Sequence, residues 1–158
     1  MAPDTHVAWL LCTTQSVLVA NRAYLRRTGI PTTPDDLRQH DCLHYPRTQE
    51  APAWTFEPMA PGAPPPLTAP ATGPPAAPNR PPLPPPPPAG PGTALVPDFS
   101  AQAALQAGKL VEVLPDWRPV GTFSETIHAI RPYSAHVPRA VAVFVEWLRE
   151  AFAPGFRA

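Results

Sequence analysis

Proline sets the strongest limit on what this chain can fold into. Of its 158 residues, 28 are proline, and 17 of these fall between Pro58 and Pro91. Each proline removes a backbone donor and restricts the residue before it, so this interval excludes a helix or a central strand. We expect residues 58–91 to be a disordered segment, with polyproline II as the default conformation of Pro81–Pro88. Residues 1–57 and 92–158 are expected to form the ordered parts.

Strand and helix signals alternate in both ordered parts, which predicts an α/β fold. Ser16–Ala20 is a short β-branched run that indicates a buried strand, and Asn21 can cap a helix that Gly29 would end. Thr33 and Pro34 begin a second helix in the same way. The remaining predicted strands are Cys42–Tyr45, Trp54–Phe56, Thr93–Pro97, Leu110–Trp117 and Thr126–Pro132.

Two more helices are predicted in the last third of the chain. Ser100 can cap the first, and Gly108 can end it. The second is amphipathic and runs to the region of Phe152. Its buried stripe is predicted to consist of Val137, Val141, Phe144, Val145 and Leu148. A helix of this kind needs a sheet to cover.

The charge balance argues against direct contact with nucleic acid. The chain has 12 basic and 12 acidic side chains, whereas a protein that holds nucleic acid by its phosphates needs a basic face. The apolar stretch His6–Ala20 has no basic residue before it and is interrupted by polar residues, so we predict neither a signal peptide nor a membrane span. We expect a cytoplasmic location, with Cys12 and Cys42 as reduced thiols.

No set of residues in the sequence points to catalysis. A nucleophile elbow, a phosphate loop and a dinucleotide fingerprint are all lacking, so we expect neither an enzyme nor a bound cofactor. His40, Cys42 and His44 have the period of one strand face and could touch one metal ion. Because the sequence offers no fourth ligand and no supporting hydrogen-bond partner, we interpret them as ordinary strand residues and expect no metal site.

The proline tract suggests a different class of function. Leu83–Pro88 resembles the ligands of proline-recognition modules, which bind preformed polyproline II helices in aromatic grooves. Arg80 supplies the charged flank that such ligands often use. The alternative hypothesis is therefore an interaction protein that presents this segment to a partner.

Four stretches of the sequence resemble the effector-binding region of LysR-type transcriptional regulators. They are "SVLVANRAYLRRTGIPTTPDDLRQHDCLHY", "WTFEP", "GTALVPDFSAQAALQAGKLVEVLPDW" and "IHAIRPYSAHVPRAVAVFVEWLREAF". The resemblance implies two α/β subdomains like those of periplasmic binding proteins, joined by two crossover strands, with a small-molecule effector between them. It assigns Ser16–Trp117 to the second subdomain and Thr126–Phe152 to the first.

The resemblance also implies which residues contact the effector. In the family these contacts come from the cap of the helix after Val-Leu-Val-Ala and from the loop around Leu-Pro-Asp. The matching positions here are Asn21, Arg22, Val96, Pro97 and Asp98. Arg22 stands where the family usually has proline. Self-association through the effector domain is implied as well.

Two features depart from the family pattern. No winged helix-turn-helix, linker helix or first half of the first subdomain is recognisable, so the expected fold is an incomplete periplasmic-binding-protein-like domain with a disordered proline-rich insert. Proline also occupies the place of a family helix before Ala89–Phe99, which a frame disruption in a GC-rich gene would explain. The hypotheses are an effector-sensing fragment of a LysR-type regulator, a proline-rich interaction protein, or a degenerate fragment without function.

Overall fold

The computed structural model describes residues 6–44, 53–60, 65–71, 73 and 92–156. Strands and helices alternate along these residues, which confirms the predicted α/β fold. The elements are β1 His6–Thr13, β2 Ser16–Asn21, α1 Arg22–Thr28, a 3₁₀ helix Pro34–Gln39, β3 Cys42–Leu43, β4 Ala53–Pro58, β5 Leu67–Pro70, β6 Thr93–Pro97, α2 Asp98–Gln106, β7 Leu110–Glu112, β8 Trp117–Val120, β9 Thr126–Pro132 and α3 Arg139–Phe152. No helix among the described residues is long and apolar enough to cross a membrane.

The chain divides into two compact units. Among the described residues, unit 1 comprises 6–14 and 124–156, and unit 2 comprises those from 15 to 123. These limits lie close to the subdomain division that the resemblance implies. The division into 1–57, 58–91 and 92–158 follows the sequence, and strand pairing joins residues on both sides of the proline-rich interval.

Unit 2 holds two sheets. One has four strands in the order β3-β6-β2-β7, and the other has three strands in the order β5-β4-β8. The pairing of β3 with β6 is parallel, and the other pairings in these sheets are antiparallel. Strand β2 is central, and Val17–Ala20 are all buried as predicted for this apolar run. The largest fully buried side chains of the core include Tyr24, Leu37 and Phe56.

Strand β5 shows that the expectation of disorder was wrong for part of residues 58–91. Leu67–Pro70 pairs antiparallel with β4, and Ala69 is 1% exposed. Because β5 is an edge strand, its proline does not interrupt a ladder on both sides. The hydroxyl oxygens of Thr55 and Thr68 lie 3.1 Å apart across the pair. Residues 74–91, including the predicted ligand Leu83–Pro88, lie outside the described residues.

Two helices begin differently in the structure than the sequence predicts. The segment after Thr33 is a 3₁₀ helix, and the Asp36 carboxylate accepts hydrogen bonds from Thr32 and Thr33 N–H at 2.9 and 3.0 Å. These bonds lower the pKa of Asp36. Helix α2 begins at Asp98, two residues before the predicted Ser100 cap. The earlier start follows from the Asp98 carboxylate, which accepts Phe99 N–H at 2.8 Å in the first turn.

Unit 1 consists of the antiparallel pair β1 and β9 with helix α3. The predicted buried stripe of α3 is partly wrong. Val145 is buried, and Val137, Val141 and Leu148 are half-buried, but Phe144 is 57% exposed. Among the described elements α3 packs mainly against β1, and one apolar flank of the helix stays exposed.

Candidate functional site

Asn21 and Arg22 lie where β2 ends and α1 begins. Asn21 has extended backbone angles, and its Oδ1 accepts a hydrogen bond from Ala23 N–H at 2.7 Å. This geometry confirms the predicted helix cap. Arg22 is the first helical residue and is exposed. The Asn21 side-chain oxygen is therefore engaged by the backbone of its own helix.

Replacing Asn21 by alanine should lower the free energy of unfolding by about 1 kcal/mol, because Ala23 N–H loses its acceptor. Asn21→Ser keeps an oxygen at the cap and should cost less than about 0.5 kcal/mol. Urea denaturation followed by tryptophan fluorescence measures both variants. Equal losses for the two variants would show that the cap contributes nothing specific.

Val96, Pro97 and Asp98 lie where β6 ends and α2 begins. In the β2–β6 ladder, Pro97 is opposite Ser16, and Val96 is opposite Val17. Val96 and Pro97 are half-buried, and Phe99 in the following turn is 45% exposed. Polar and apolar side chains thus meet at this end of the sheet.

Asp98 ties the start of α2 to the residue before β2. Its Oδ2 accepts Gln15 N–H at 3.2 Å, and its Oδ1 accepts Phe99 N–H at 2.8 Å. The Asp98 N–H in turn donates to the Gln15 carbonyl at 2.9 Å. The side chain is only 7% exposed. Asp98 is therefore a residue that positions the chain at this corner, with its carboxylate engaged by backbone donors at a helix N-terminus.

The structure does not bring the two groups of predicted site residues together. Because β2 and β6 are antiparallel, Ala20 pairs with Thr93 while Ser16 pairs with Pro97. Asn21 and Asp98 consequently lie at opposite ends of the ladder, about 20 Å apart at roughly 3.4 Å per residue. A small molecule at one end cannot contact the other. The resemblance to the family gave these positions, but it did not indicate which of them lie close together in the fold.

Unit 2 contains a buried polar network that no sequence pattern predicted. The Tyr24 hydroxyl lies 3.1 Å from His40 Nδ1 and accepts Asp41 N–H at 2.9 Å. Asp41 also offers its carbonyl to Thr93 N–H at 2.8 Å. Tyr24 is fully buried, and burial raises its pKa. The network joins α1, the end of the 3₁₀ helix and β6. The hydrogen-bonded partners are 16 to 52 residues apart in the sequence, so no local pattern indicates the network.

Tyr24→Phe should lower the free energy of unfolding by about 1–3 kcal/mol, because Asp41 N–H and His40 Nδ1 lose their partner. The raised pKa means that the folded state holds the phenolic proton more tightly than the unfolded state. The native chain should therefore lose stability as pH rises through about 10, and this loss should shrink in the variant. Urea melts at neutral and alkaline pH measure both effects. Tyr133→Phe, at a residue 67% exposed, is the control; a matching loss there would contradict the account.

The possible metal ligands His40, Cys42 and His44 lie before, in and after strand β3. His40 contacts Tyr24, and the Cys42 thiol can donate its one proton to either the Leu37 or the His40 carbonyl, at 3.7 and 3.6 Å. No group of three metal-ligating side chains occurs in the part of the chain that the structure describes. Both cysteines are buried and neither forms a disulfide.

A sequence profile for the LysR substrate binding domain matches residues 88–153. PtxR of Pseudomonas aeruginosa, an HTH-type transcriptional regulator, is 32% identical over 143 residues, which are 89% of this chain and 43% of PtxR. LtrA of Klebsiella pneumoniae, named as a probable HTH-type transcriptional regulator, is 28% identical over 134 residues, which are 85% of this chain and 42% of LtrA. The chain spans less than half the length of these relatives. Their names agree with the expectation that the chain is not an enzyme.

Solved regulatory domains share the fold. The regulatory domain of AphB from Vibrio vulnificus has a TM-score of 0.65 at 20% identity, covering 94% of this chain and 70% of that domain. The CrgA regulatory domain from Neisseria meningitidis, a LysR-type transcriptional regulator, has a TM-score of 0.64 at 17% identity, covering 96% of this chain and 71% of that domain.

Proposed function

The chain belongs to the LysR substrate binding domain family, and from this premise we propose that it senses a small-molecule effector on behalf of a transcriptional regulator. The observation that carries the proposal is the breadth of the match. Relatives that regulate transcription align with 85–89% of the chain, and a solved regulatory domain covers 94% of it. The effector-binding region, rather than an isolated motif, is what this chain shares with them.

We propose that the effector binds unit 2 at the end where β2 begins and β6 ends. Ser16, Val96 and Pro97 are paired neighbours there, and Phe99 exposes an aromatic ring beside them. Small-molecule sites combine apolar side chains with a few fixed polar groups, and this end offers both. Asp98 positions the start of α2 there, because its carboxylate accepts hydrogen bonds from the backbone of Gln15 and Phe99. We propose no ligand contact for it. At the opposite end, the Asn21 side-chain oxygen is engaged in capping α1.

The family assignment also supports proposals on partners and location. We propose that the chain acts in the cytoplasm and self-associates through its effector-binding fold, as expected for LysR-type regulators. We further propose that its own residues make no direct contact with DNA. Its 12 basic and 12 acidic side chains leave no net charge with which to attract phosphates.

A thermal-shift screen tests the proposed function. The native chain is melted alone and with each member of a panel of small carboxylates and amino acids. A ligand present at 100 times its dissociation constant should stabilise the fold by about 2.7 kcal/mol, which corresponds to a rise of roughly 5–10 °C in a domain of this size. A cooperative transition that no small molecule moves would contradict effector sensing.

A further inference from the structure

Exposed basic side chains gather at the end of unit 2 where β2 ends and α1 begins. Arg22 and Arg26 lie one turn apart on α1, and both are exposed. Lys109 is also exposed and comes from a distant part of the sequence. Because Asn21 is opposite Leu110 in the antiparallel β2–β7 pair, the register places Lys109 next to Arg22. The fold therefore brings cations from two separate segments to one place.

The cations of α1 have no acidic partner in the part of the chain that the structure describes. The sequence contains no aspartate or glutamate between Asp4 and Asp35, so α1 has no acid at helical spacing. The ion pairs of the described residues join Arg38 to Asp35 and Arg118 to Glu57. Neither pair includes a residue of α1 or Lys109.

Two acidic residues lie at the same end of the sheet but at a distance from these cations. Glu112 is opposite Val19, so its backbone is three positions from Arg22 along the strands, or about 10 Å. Asp41 precedes β3, and β6 separates β3 from β2, which is again about 10 Å. This distance exceeds the Debye length of about 8 Å at physiological salt, so the attraction is largely screened.

Helix stability accounts for two of the arginines but not for Arg22. Arg26 and Arg27 lie in the last turn of α1, where the helix dipole favours positive charge, and the Arg27 guanidinium lies 5.7 Å from the centroid of the Tyr24 ring. Arg22 instead opens the helix, where an acid is favoured, and Arg26 four residues later repels it. A local rule broken without a compensating contact is typical of a functional position.

An exposed apolar residue and a fixed backbone complete this surface. Ile30 follows α1 by two residues and is 71% exposed. The backbone of Lys109 is held by its N–H, which donates to the Ala104 carbonyl at 2.9 Å. Protein interfaces combine an apolar centre with a charged rim, and arginine is enriched in them. We call Arg22, Arg26, Arg27, Ile30 and Lys109 the basic surface.

We propose that the basic surface binds an acidic helix of another protein, whose carboxylates contact Arg22, Arg26 and Lys109 and whose apolar side chain covers Ile30. Side chains four residues apart on a helix are about 5–6 Å apart at Cβ, so glutamates at this spacing match Arg22 and Arg26. A guanidinium group binds a carboxylate through two parallel hydrogen bonds.

Nucleic acid is the less suitable anion for this surface. Its binding strengthens with the number of phosphates that are neutralised, and the chain has 12 basic and 12 acidic side chains in all. An exposed isoleucine beside the arginines adds nothing to phosphate binding but suits a protein partner. The basic surface lies at the end of β2 opposite the proposed effector end, so the two proposals are tested by different variants.

Fluorescence anisotropy with the full chain and a labelled helical peptide tests the proposal. The probe is a synthetic peptide of about 20 residues, built from Glu, Ala and Leu with glutamates four residues apart. We expect saturable binding at low ionic strength that weakens as salt is added. The double variant Arg22→Glu, Arg26→Glu should bind about tenfold more weakly or worse, because like charges then face each other. Lys109→Glu should weaken binding by about threefold.

Arg139→Glu, Arg149→Glu is the matched control, because it makes the same change in net charge at two exposed positions of α3 in unit 1. It should bind the peptide within about twofold of the native chain, since its charges lie outside the basic surface. Thermal melts of every variant show that the fold is retained, so that a loss of binding reports on the surface.

Three outcomes would overturn the proposal. The native chain could fail to bind the acidic peptide at low ionic strength, or the control could weaken binding as much as the Arg22→Glu, Arg26→Glu variant. Tighter binding of a duplex DNA oligonucleotide than of the peptide, lost in the same double variant, would show that the surface binds nucleic acid instead.

Discussion

Gly92→Ala should be among the most damaging single changes in this chain, with a loss of roughly 3–5 kcal/mol of unfolding free energy. Gly92 has φ +144°, and a Cβ there would overlap the Asp41 carbonyl oxygen. That carbonyl accepts Thr93 N–H and so belongs to the buried network around Tyr24. The added methyl group would push β6 away from the chain before β3.

Gly108→Ala measures the cost of backbone strain without a steric clash, and so serves as the comparison for Gly92→Ala. Gly108 has φ +66°, but nothing lies within 4 Å of its would-be Cβ. Its replacement should cost only the penalty of a left-handed residue, about 1–2 kcal/mol. Urea denaturation compares the two variants. Equal midpoints would mean that the Gly92 contact with Asp41 is unimportant.

Phe56→Ala should cost about 3–5 kcal/mol, because it leaves a cavity in the core of unit 2. Phe56 is fully buried in β4, the central strand of the three-stranded sheet, where it lies between Leu67 of β5 and Pro119 of β8. Against a total stability of typically 5–15 kcal/mol, this loss would leave the unit close to unfolding at room temperature.

Phe99→Ala is the matched control for Phe56, since it removes the same side chain at a position 45% exposed. We expect it to cost less than about 1 kcal/mol, because little apolar area leaves the core. Thermal and urea melts of the two variants provide the comparison. A Phe56→Ala protein as stable as Phe99→Ala would contradict the placement of β4 at the centre of the core.

Elements with local signals could be predicted from the sequence. Strand β2, the Asn21 cap and strand β6 each depend on residues within a few positions of one another, and the structure has all three. Strands β5 and β8 contain prolines, which argue against a strand in isolation. Both are edge strands next to β4, where a missing donor is tolerated. Their formation depends on pairing with a strand that is distant in the sequence, so it could not be predicted from the neighbouring residues.

The same reasoning applies to α3 and to the site. Periodicity showed that the helix is amphipathic, but which apolar flank is buried depends on β1, more than a hundred residues earlier. The candidate site residues came from positional correspondence with a family. Whether Asn21 and Asp98 lie close together depends on the direction of β6 relative to β2, which the local sequence does not reveal.

Isothermal titration calorimetry on two bulky variants tests the central claim most directly. Ser16→Trp places an indole at the end of the sheet where we propose that the effector binds, and Arg22→Trp places the same group at the opposite end. The titrant is the compound that gives the largest thermal shift. The account predicts at least about tenfold weaker binding for Ser16→Trp and unchanged binding, within about twofold, for Arg22→Trp. Weaker binding only in Arg22→Trp, or native affinity in both variants, would contradict it.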